Sequence, residues 1–139
     1  MKVLQLLGGI VIIFFILSCS NQNNFEEQFP DGSVKLKYNV QQEVSKDLLL
    51  EILDVSDQRC PIGAVCSDAG FVKVDLRVLA LNGNETRTMY FSELPDASQN
   101  VDTVMGYKIH LLKVSPIPYD DNPVEVNTNY IITVYAEEI

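Results

Sequence analysis

The three cysteines are the most reactive side chains of this sequence, because a thiol can form a disulfide, bind a metal or carry a lipid. Cys19 directly follows an apolar segment, whereas Cys60 and Cys66 enclose five residues in the middle of the chain. Two cysteines this close together in an exported protein most simply form a disulfide, which contributes about 2 kcal/mol for so small a ring. A zinc site and two free thiols are the alternatives, although zinc takes four ligands and typically a tighter cysteine spacing.

The segment before Cys19 has the composition of an export signal. Lys2 is followed by an apolar run from Leu6 to Leu17, which is shorter than the roughly 20 residues of a membrane span. The run ends in Ile16-Leu17-Ser18-Cys19, which resembles the lipobox of bacterial lipoproteins. The resemblance implies diacylglycerol on Cys19 and cleavage before it, so residues 1–18 are predicted as a lipoprotein signal peptide. An ordinary secretory signal and an uncleaved anchor are the alternatives.

The residues that follow Cys19 predict how the chain is held at a membrane. Residues 19–29 are mostly polar and read as a lipidated flexible tether. One acyl chain binds a bilayer only marginally, whereas two or three make the attachment long-lived. Because Ser20 rather than an aspartate follows the cysteine, the sorting rule of some Gram-negative bacteria favours the outer membrane, on its periplasmic or its surface face.

The charge of the chain excludes one class of partner. The net charge is −9 and the Lys and Arg residues are scattered, so we expect no binding to nucleic acid. The acidity is typical of a soluble surface. Residues 30–139 have the length of one ordinary domain with a real core.

Alternation of apolar and polar residues dominates this domain and predicts half-buried antiparallel strands. The clearest case has Val72, Val74, Leu76, Val78 and Ala80 on one face. The other predicted strands lie near residues 34–40, 48–55, 86–91, 107–111 and 130–136, with a short one near 42–44.

Turn residues separate these strands. Asn82-Gly83-Asn84 predicts a hairpin, because asparagine and glycine tolerate positive φ, and Pro116-Ile117-Pro118 ends a strand. About seven short strands with this spacing predict an all-β antiparallel sandwich, with an open barrel as the alternative.

The cysteine segment carries a second resemblance. Asp57-Gln58-Arg59-Cys60-Pro61, then Cys66, then Ala69-Gly70 and a long alternating strand resemble a family of small uncharacterised bacterial lipoproteins. The resemblance spans roughly residues 30–137 and implies an immunoglobulin-like β-sandwich. Asp68 stands where the family usually has tryptophan, and this chain has no tryptophan.

Two surfaces are candidates for contact with a partner. The first is the cysteine segment, through Arg59, Pro61, Ile62 and Asp68, and the second is the charge-poor Met89-Tyr90-Phe91. Arg59 with Asp57 forms either a surface recognition pair or a brace that holds the loop by hydrogen bonds and an ion pair; we favour the brace.

We expect no catalytic site, no metal and no cofactor. His110 is the single histidine and shares a predicted strand face with Lys108, so it reads as solvated rather than as a general base. Asp120-Asp121-Asn122 with Glu125 lacks the spacing of an EF-hand and reads as an acidic loop. Asp102-Thr103-Val104 resembles a bacterial threonine-glycosylation triplet, which is a weak motif.

The sequence therefore predicts a non-catalytic, lipid-anchored module of the bacterial cell envelope that binds an envelope protein or has a structural role. One alternative is a protease inhibitor that presents the Cys60–Cys66 loop. Another is a glycan or small-molecule binding lipoprotein, for which the sequence shows no aromatic platform.

Overall fold

The computed structural model describes residues 27–94, 100–119 and 129–139. The described residues form eight β-strands, which confirms the all-β prediction. These are β1 (Val34–Lys37), β2 (Gln42–Ser45), β3 (Leu48–Asp57), β4 (Val72–Ala80), β5 (Gly83–Phe91), β6 (Val101–Val104), β7 (Tyr107–Ser115) and β8 (Ile131–Glu138). The predicted signal peptide, Cys19 and the acidic segment 120–125 lie outside the described residues.

The strands form two four-stranded antiparallel sheets. The first sheet has the order β2-β3-β4-β5 and the second has the order β1-β8-β7-β6. This confirms the two-sheet sandwich. Among the described strands, β1 and β8 alone are paired without being consecutive in the chain. The first sheet is therefore a meander, and the second is a three-stranded meander to which β1 is added beside β8. An immunoglobulin domain instead interleaves its strands in a Greek key, so the chain has the layers of that fold but not its strand order.

The core lies between the sheets and follows the alternation of the sequence. Val72, Val74, Leu76 and Val78 of β4 have no exposed surface, because successive side chains of a strand point to opposite faces. Complete burial of one such side chain stabilises the fold by about 1.5–3 kcal/mol. The opposite wall of the same cluster comes from the second sheet and includes Leu36, Ile109, Leu111, Val114, Ile132 and Val134.

Three register shifts interrupt the ladders of the described strands, one of them between Glu43 and Ser45 of β2. In β7 the register shifts between Leu111 and Lys113, so that Leu111 and Val114 are both buried although three positions separate them. In β3 the shift lies between Ile52 and Asp54. An extra residue in one strand restores the inward direction of the apolar residues that follow it.

Tight turns connect the edge strands β5 and β6 to their neighbours β4 and β7. The β4–β5 loop is Leu81-Asn82, and Gly83, with φ of 137°, is already the first residue of β5; the turn therefore lies one residue earlier than predicted. Strand β6 was not predicted, since it has four residues and two of them are polar. It joins β7 through Met105 and Gly106, which both have positive φ (54° and 86°), as the hairpin turns that match strand twist require.

The last residues of the predicted tether lie against the second sheet. Glu27 forms an ion pair with Lys113 of β7. Gln28 and Phe29 line a cavity of about 640 Å³ together with Thr133 of β8. Among the described residues, no helix is long and apolar enough to cross a bilayer.

Candidate functional site: the braced cysteine loop

The cysteine loop, defined here as residues 58–71, connects β3 to β4 and is closed by a disulfide. Cys60 and Cys66 are bonded with their Cα atoms 5.9 Å apart, which confirms the predicted bridge. The base of the loop continues the β3–β4 ladder, because the Gln58 N–H donates to the Phe71 carbonyl at 2.9 Å and the Cys60 N–H to the Ala69 carbonyl at 2.9 Å. Covalent and hydrogen bonds therefore both close the loop at its base.

A buried ion pair lies directly beneath the loop. The Arg59 guanidinium binds Asp57 through Nη2 to Oδ2 at 2.6 Å and through Nε to Oδ1 at 3.0 Å. The two side chains are only 5% and 6% exposed. Burying two charges costs desolvation energy, which is offset only when the geometry is good and the remaining polar atoms are satisfied. No buried side-chain nitrogen or oxygen in the described ranges lacks a hydrogen-bond partner.

Arg59 also joins the loop to the second sheet. Its Nη1 donates to the Val114 carbonyl at 2.8 Å and its Nη2 to the Pro116 carbonyl at 2.6 Å. Nη1 also lies 3.3 Å from Oε1 of Glu93, which is the half-exposed member of the group. The guanidinium thus faces the protein interior and acts as a brace. Of the four predicted contact residues, Arg59 is therefore the one that is buried.

Tyr130, directly before β8, completes the network. Its hydroxyl donates to Asp57 Oδ2 at 3.0 Å, and its side chain is buried. Burial and this hydrogen bond raise the pKa of Tyr130 to about 12. The Asp57 carboxylate is therefore held by the Arg59 cation of the cysteine loop and by a neutral phenol from the residue before β8.

Tyr130→Phe should change the pH dependence of stability. The phenol keeps its proton to higher pH in the folded state than its unfolded pKa of about 10 allows, so its contribution is present below pH 10 and is lost as the pH rises from 10 towards 12. We expect the variant to be about 1 kcal/mol less stable at neutral pH, with a difference that shrinks above pH 10. Urea unfolding at several pH values measures this, and a difference that is constant with pH would contradict it.

Gly70 is required where the chain leaves the loop. Its φ is 71°, and a Cβ there would lie 2.0 Å from the Gln58 carbonyl oxygen. Its N–H donates to Oδ1 of Asp68 at 2.9 Å, which is the local turn bond that aspartate forms two residues ahead. The glycine of the Ala69-Gly70 pair therefore has a steric cause.

The tip of the loop is exposed. Val65 is 102% exposed and Ile62 is 47% exposed, while Tyr119 nearby is 56% exposed. The Ile62 N–H donates to the Pro118 carbonyl at 2.8 Å, and Ile62 forms a bridge with Tyr119. We call Ile62, Val65 and Tyr119 the loop tip. Val65 and Tyr119 were not among the predicted contact residues, although a valine inside so short a ring has no core face to turn to.

The remaining predicted contact residues are divided by the strand pleat. Pro61 is partly exposed and Asp68 is exposed. Met89 and Phe91 are buried, so only Tyr90 of that segment reaches solvent. The rings of Tyr90 and Phe71 meet edge to face at 5.6 Å with their planes at 74°, so the two rings share no flat surface on which a sugar could stack.

The other polar candidates are occupied by neighbours. His110 lies 3.3 Å from Glu137 and contacts the Tyr135 ring. Asp102, from the triplet in β6, binds Arg87 at 3.0 Å. Within the described residues, no group of three or more His, Cys, Asp or Glu side chains could hold a metal ion.

Removing the disulfide should weaken the fold by about 2 kcal/mol, because the open chain regains loop entropy when it unfolds. The double variant Cys60→Ser/Cys66→Ser therefore should unfold at lower urea concentration than the native protein. Reducing agent should lower the midpoint of the native protein to the same extent and leave the variant unchanged. Equal midpoints for the oxidised protein and the variant would contradict the prediction.

Comparison with known proteins adds no relative: neither a scan of protein-family models nor searches of curated proteins and of solved structures found a match to this chain.

Proposed function

We propose that this chain is a lipid-anchored, non-catalytic binding module of a bacterial cell envelope, which presents the loop tip to an envelope protein. The observation that carries the proposal is the contrast within one loop. Its root is held by a disulfide and a buried arginine, whereas Val65 at its tip is completely exposed. A loop that is rigid before binding loses little conformational entropy when a partner contacts it.

The polar groups of the site support a binding role rather than a catalytic one. A general base needs a titratable group within reach of a substrate. In the described part of the site, Asp57 is engaged by Arg59 and Tyr130 and is only 6% exposed. The loop tip exposes two aliphatic side chains and one aromatic side chain, and such side chains are typical of the centre of a protein contact.

The membrane attachment rests on the lipobox and is tested separately from binding. Cys19→Ala should abolish palmitate labelling and move the protein from the detergent-rich phase to the aqueous phase. Ser20→Ala is the matched control and should leave both readouts unchanged. Unchanged labelling of the Cys19 variant would refute lipid attachment and leave the binding proposal standing.

Binding is tested with a photo-crosslinking amino acid at position 65 of the full-length chain in its own envelope. The matched control carries the same group at Leu81, which is 86% exposed and lies at the other end of β4. We expect one crosslinked protein from position 65 only, and its loss when Ile62→Asp is added. Equal products from both positions, or no product from position 65, would refute the proposal.

A protease inhibitor is the second candidate, and the exposure of Val65 beside Cys66 favours it. A protease would meet a fully exposed valine on a ring that the disulfide keeps closed. Titration of purified protein against secreted proteases with preference for small apolar residues tests this. Inhibition that is lost in Val65→Asp supports the candidate, whereas cleavage of the loop without inhibition rejects it.

A further inference from the structure

Each sheet of the sandwich ends in strands whose outer backbone groups need a partner, and side chains fill that role on the second sheet. At β1, the Gln42 amide accepts from the Lys37 N–H at 2.7 Å and donates to the Lys35 carbonyl at 2.9 Å. At β6, the Thr103 N–H donates to Asp102 at 2.8 Å. Side chains placed in this way block the addition of another strand.

Strand β5 is the long edge of the first sheet, with nine residues at the end of the strand order. Its loop closes on the pair Ala80–Gly83, and hydrogen-bonded pairs recur at every second residue of an antiparallel ladder. The odd-numbered residues of β5 therefore bond to β4. Asn84, Thr86, Thr88 and Tyr90 direct their backbone N–H and C=O groups away from the sheet. Beside this edge runs a groove of about 360 Å³, with Asp102 of β6 on its far side.

The side chains along this edge have a self-complementary charge pattern. Glu85 and Arg87 lie on the same face of β5, since their side chains pair within one chain at 3.1 Å, and Arg87 also binds Asp102 of β6 at 3.0 Å. Thr86 lies between them. If a second β5 lies antiparallel to the first with Thr86 opposite Thr86, each Glu85 faces the Arg87 of the other copy. Opposite charges and threonine pairs across strands each stabilise a sheet by about 0.2–1 kcal/mol.

The neighbouring registers are disfavoured by the same residues. A shift that places the two-fold axis at Glu85 puts two glutamates opposite each other. A shift that places it at Arg87 does the same with two arginines. Like charges directly opposite destabilise a pair of strands. The register centred on Thr86 also pairs the outward backbone groups of Asn84 and Thr88, so hydrogen bonds and charges select the same alignment.

We propose that β5 is a dimerisation edge at which two copies of this chain pair antiparallel about a two-fold axis at Thr86. The two first sheets become one continuous eight-stranded sheet, with the same surface contributed by each copy, as a two-fold interface requires. The inference goes beyond the proposed function and does not depend on it, because the loop tip lies outside this edge.

A charge exchange tests the pairing in the full-length protein, purified in mild detergent and analysed by sedimentation. Glu85→Arg alone places like charges opposite each other and should weaken dimerisation by about tenfold or more. Arg87→Glu alone should do the same. The double variant Glu85→Arg/Arg87→Glu restores opposite charges and should recover the dimer. A native protein that is monomeric at all concentrations overturns the proposal, and so does a dimer that neither single variant weakens.

A cysteine at the axis gives a second readout that does not depend on charge. Residues opposite each other in a hydrogen-bonded pair have Cα atoms about 5.5 Å apart, which suits a disulfide. Thr86→Cys should therefore form a covalent dimer in envelope membranes, visible on a non-reducing gel. Asn82→Cys, in the adjacent turn, is the matched control. It should run as a monomer on this gel, as should the native chain, because neither forms a covalent bond across the axis. Crosslinking of the Thr86 variant to a different protein, or no crosslinking at all, overturns the proposal.

Discussion

Replacing Arg59 with alanine should cost about 3–5 kcal/mol of folding free energy, because it leaves the buried Asp57 carboxylate without its cation. The same change removes the donors to the Val114 and Pro116 carbonyls, which join the cysteine loop to the second sheet. A loss of this size is a large fraction of the 5–15 kcal/mol that stabilises a typical domain. Urea unfolding followed by circular dichroism measures it, since the chain has no tryptophan for fluorescence.

The matched control for Arg59 is Arg77→Ala. Arg77 pairs with Glu51 at 2.8 Å, but its side chain is 42% exposed, and exposed ion pairs contribute only about 0–1 kcal/mol. The two variants remove the same side chain and differ in burial and in the number of partners. A loss below about 1 kcal/mol in both would mean that the network does not brace the loop.

Gly70→Ala should destabilise the fold by at least about 3 kcal/mol, because the new Cβ combines left-handed strain with a steric clash. The clash is with the backbone carbonyl of Gln58 at 2.0 Å, which cannot move without breaking the ladder at the base of the loop. We therefore expect a lower urea midpoint. We also expect faster proteolysis at the loop, since its base would open more often.

Gly106→Ala separates the two causes of that loss. Gly106 also has a positive φ, of 86°, but a Cβ there would meet nothing within 4 Å. This variant should lose only the conformational term of about 1–2 kcal/mol. If Gly70→Ala loses no more than Gly106→Ala, the close approach of residues 58 and 70 does not constrain the loop.

The variants Arg59→Ala and Gly70→Ala also connect the stability of the loop to its proposed role. Arg59 and Gly70 lie behind the loop tip, and neither is part of it. If the tip binds because it is held rigid, loosening either support should reduce crosslinking from position 65 in protein that is still folded. The tip variant Ile62→Asp should reduce crosslinking without changing the urea midpoint, because Ile62 is 47% exposed.

Strands with strict alternation were predictable because their signal is local. Val72, Val74, Leu76 and Val78 were assigned to one buried face, and all four have no exposed surface. β6 was missed because a four-residue strand with two polar residues carries no such signal. The bulges in β3 and β7 were missed for a related reason, since an extra residue breaks the period that reveals a strand.

The site was predictable in its chemistry and not in its placement. The spacing of Cys60 and Cys66 indicated the bridge, and the proximity of Asp57 and Arg59 in sequence indicated their ion pair. The partners that bury the pair come from distant segments. Tyr130 is 73 residues from Asp57, and the Val114 carbonyl is 55 residues from Arg59. No local sequence pattern predicts such contacts, because they form only when the two sheets pack together.

The order of residues alone was enough to establish an all-β chain, the main strands and the short disulfide ring, because these depend on neighbours a few positions apart. Packing of the two sheets decided the rest. It turned Arg59 inward, left Val65 outside, joined β1 to β8 and left β5 as an open edge. These outcomes depend on which distant surfaces meet and what solvent they exclude, and that is a property of the folded chain.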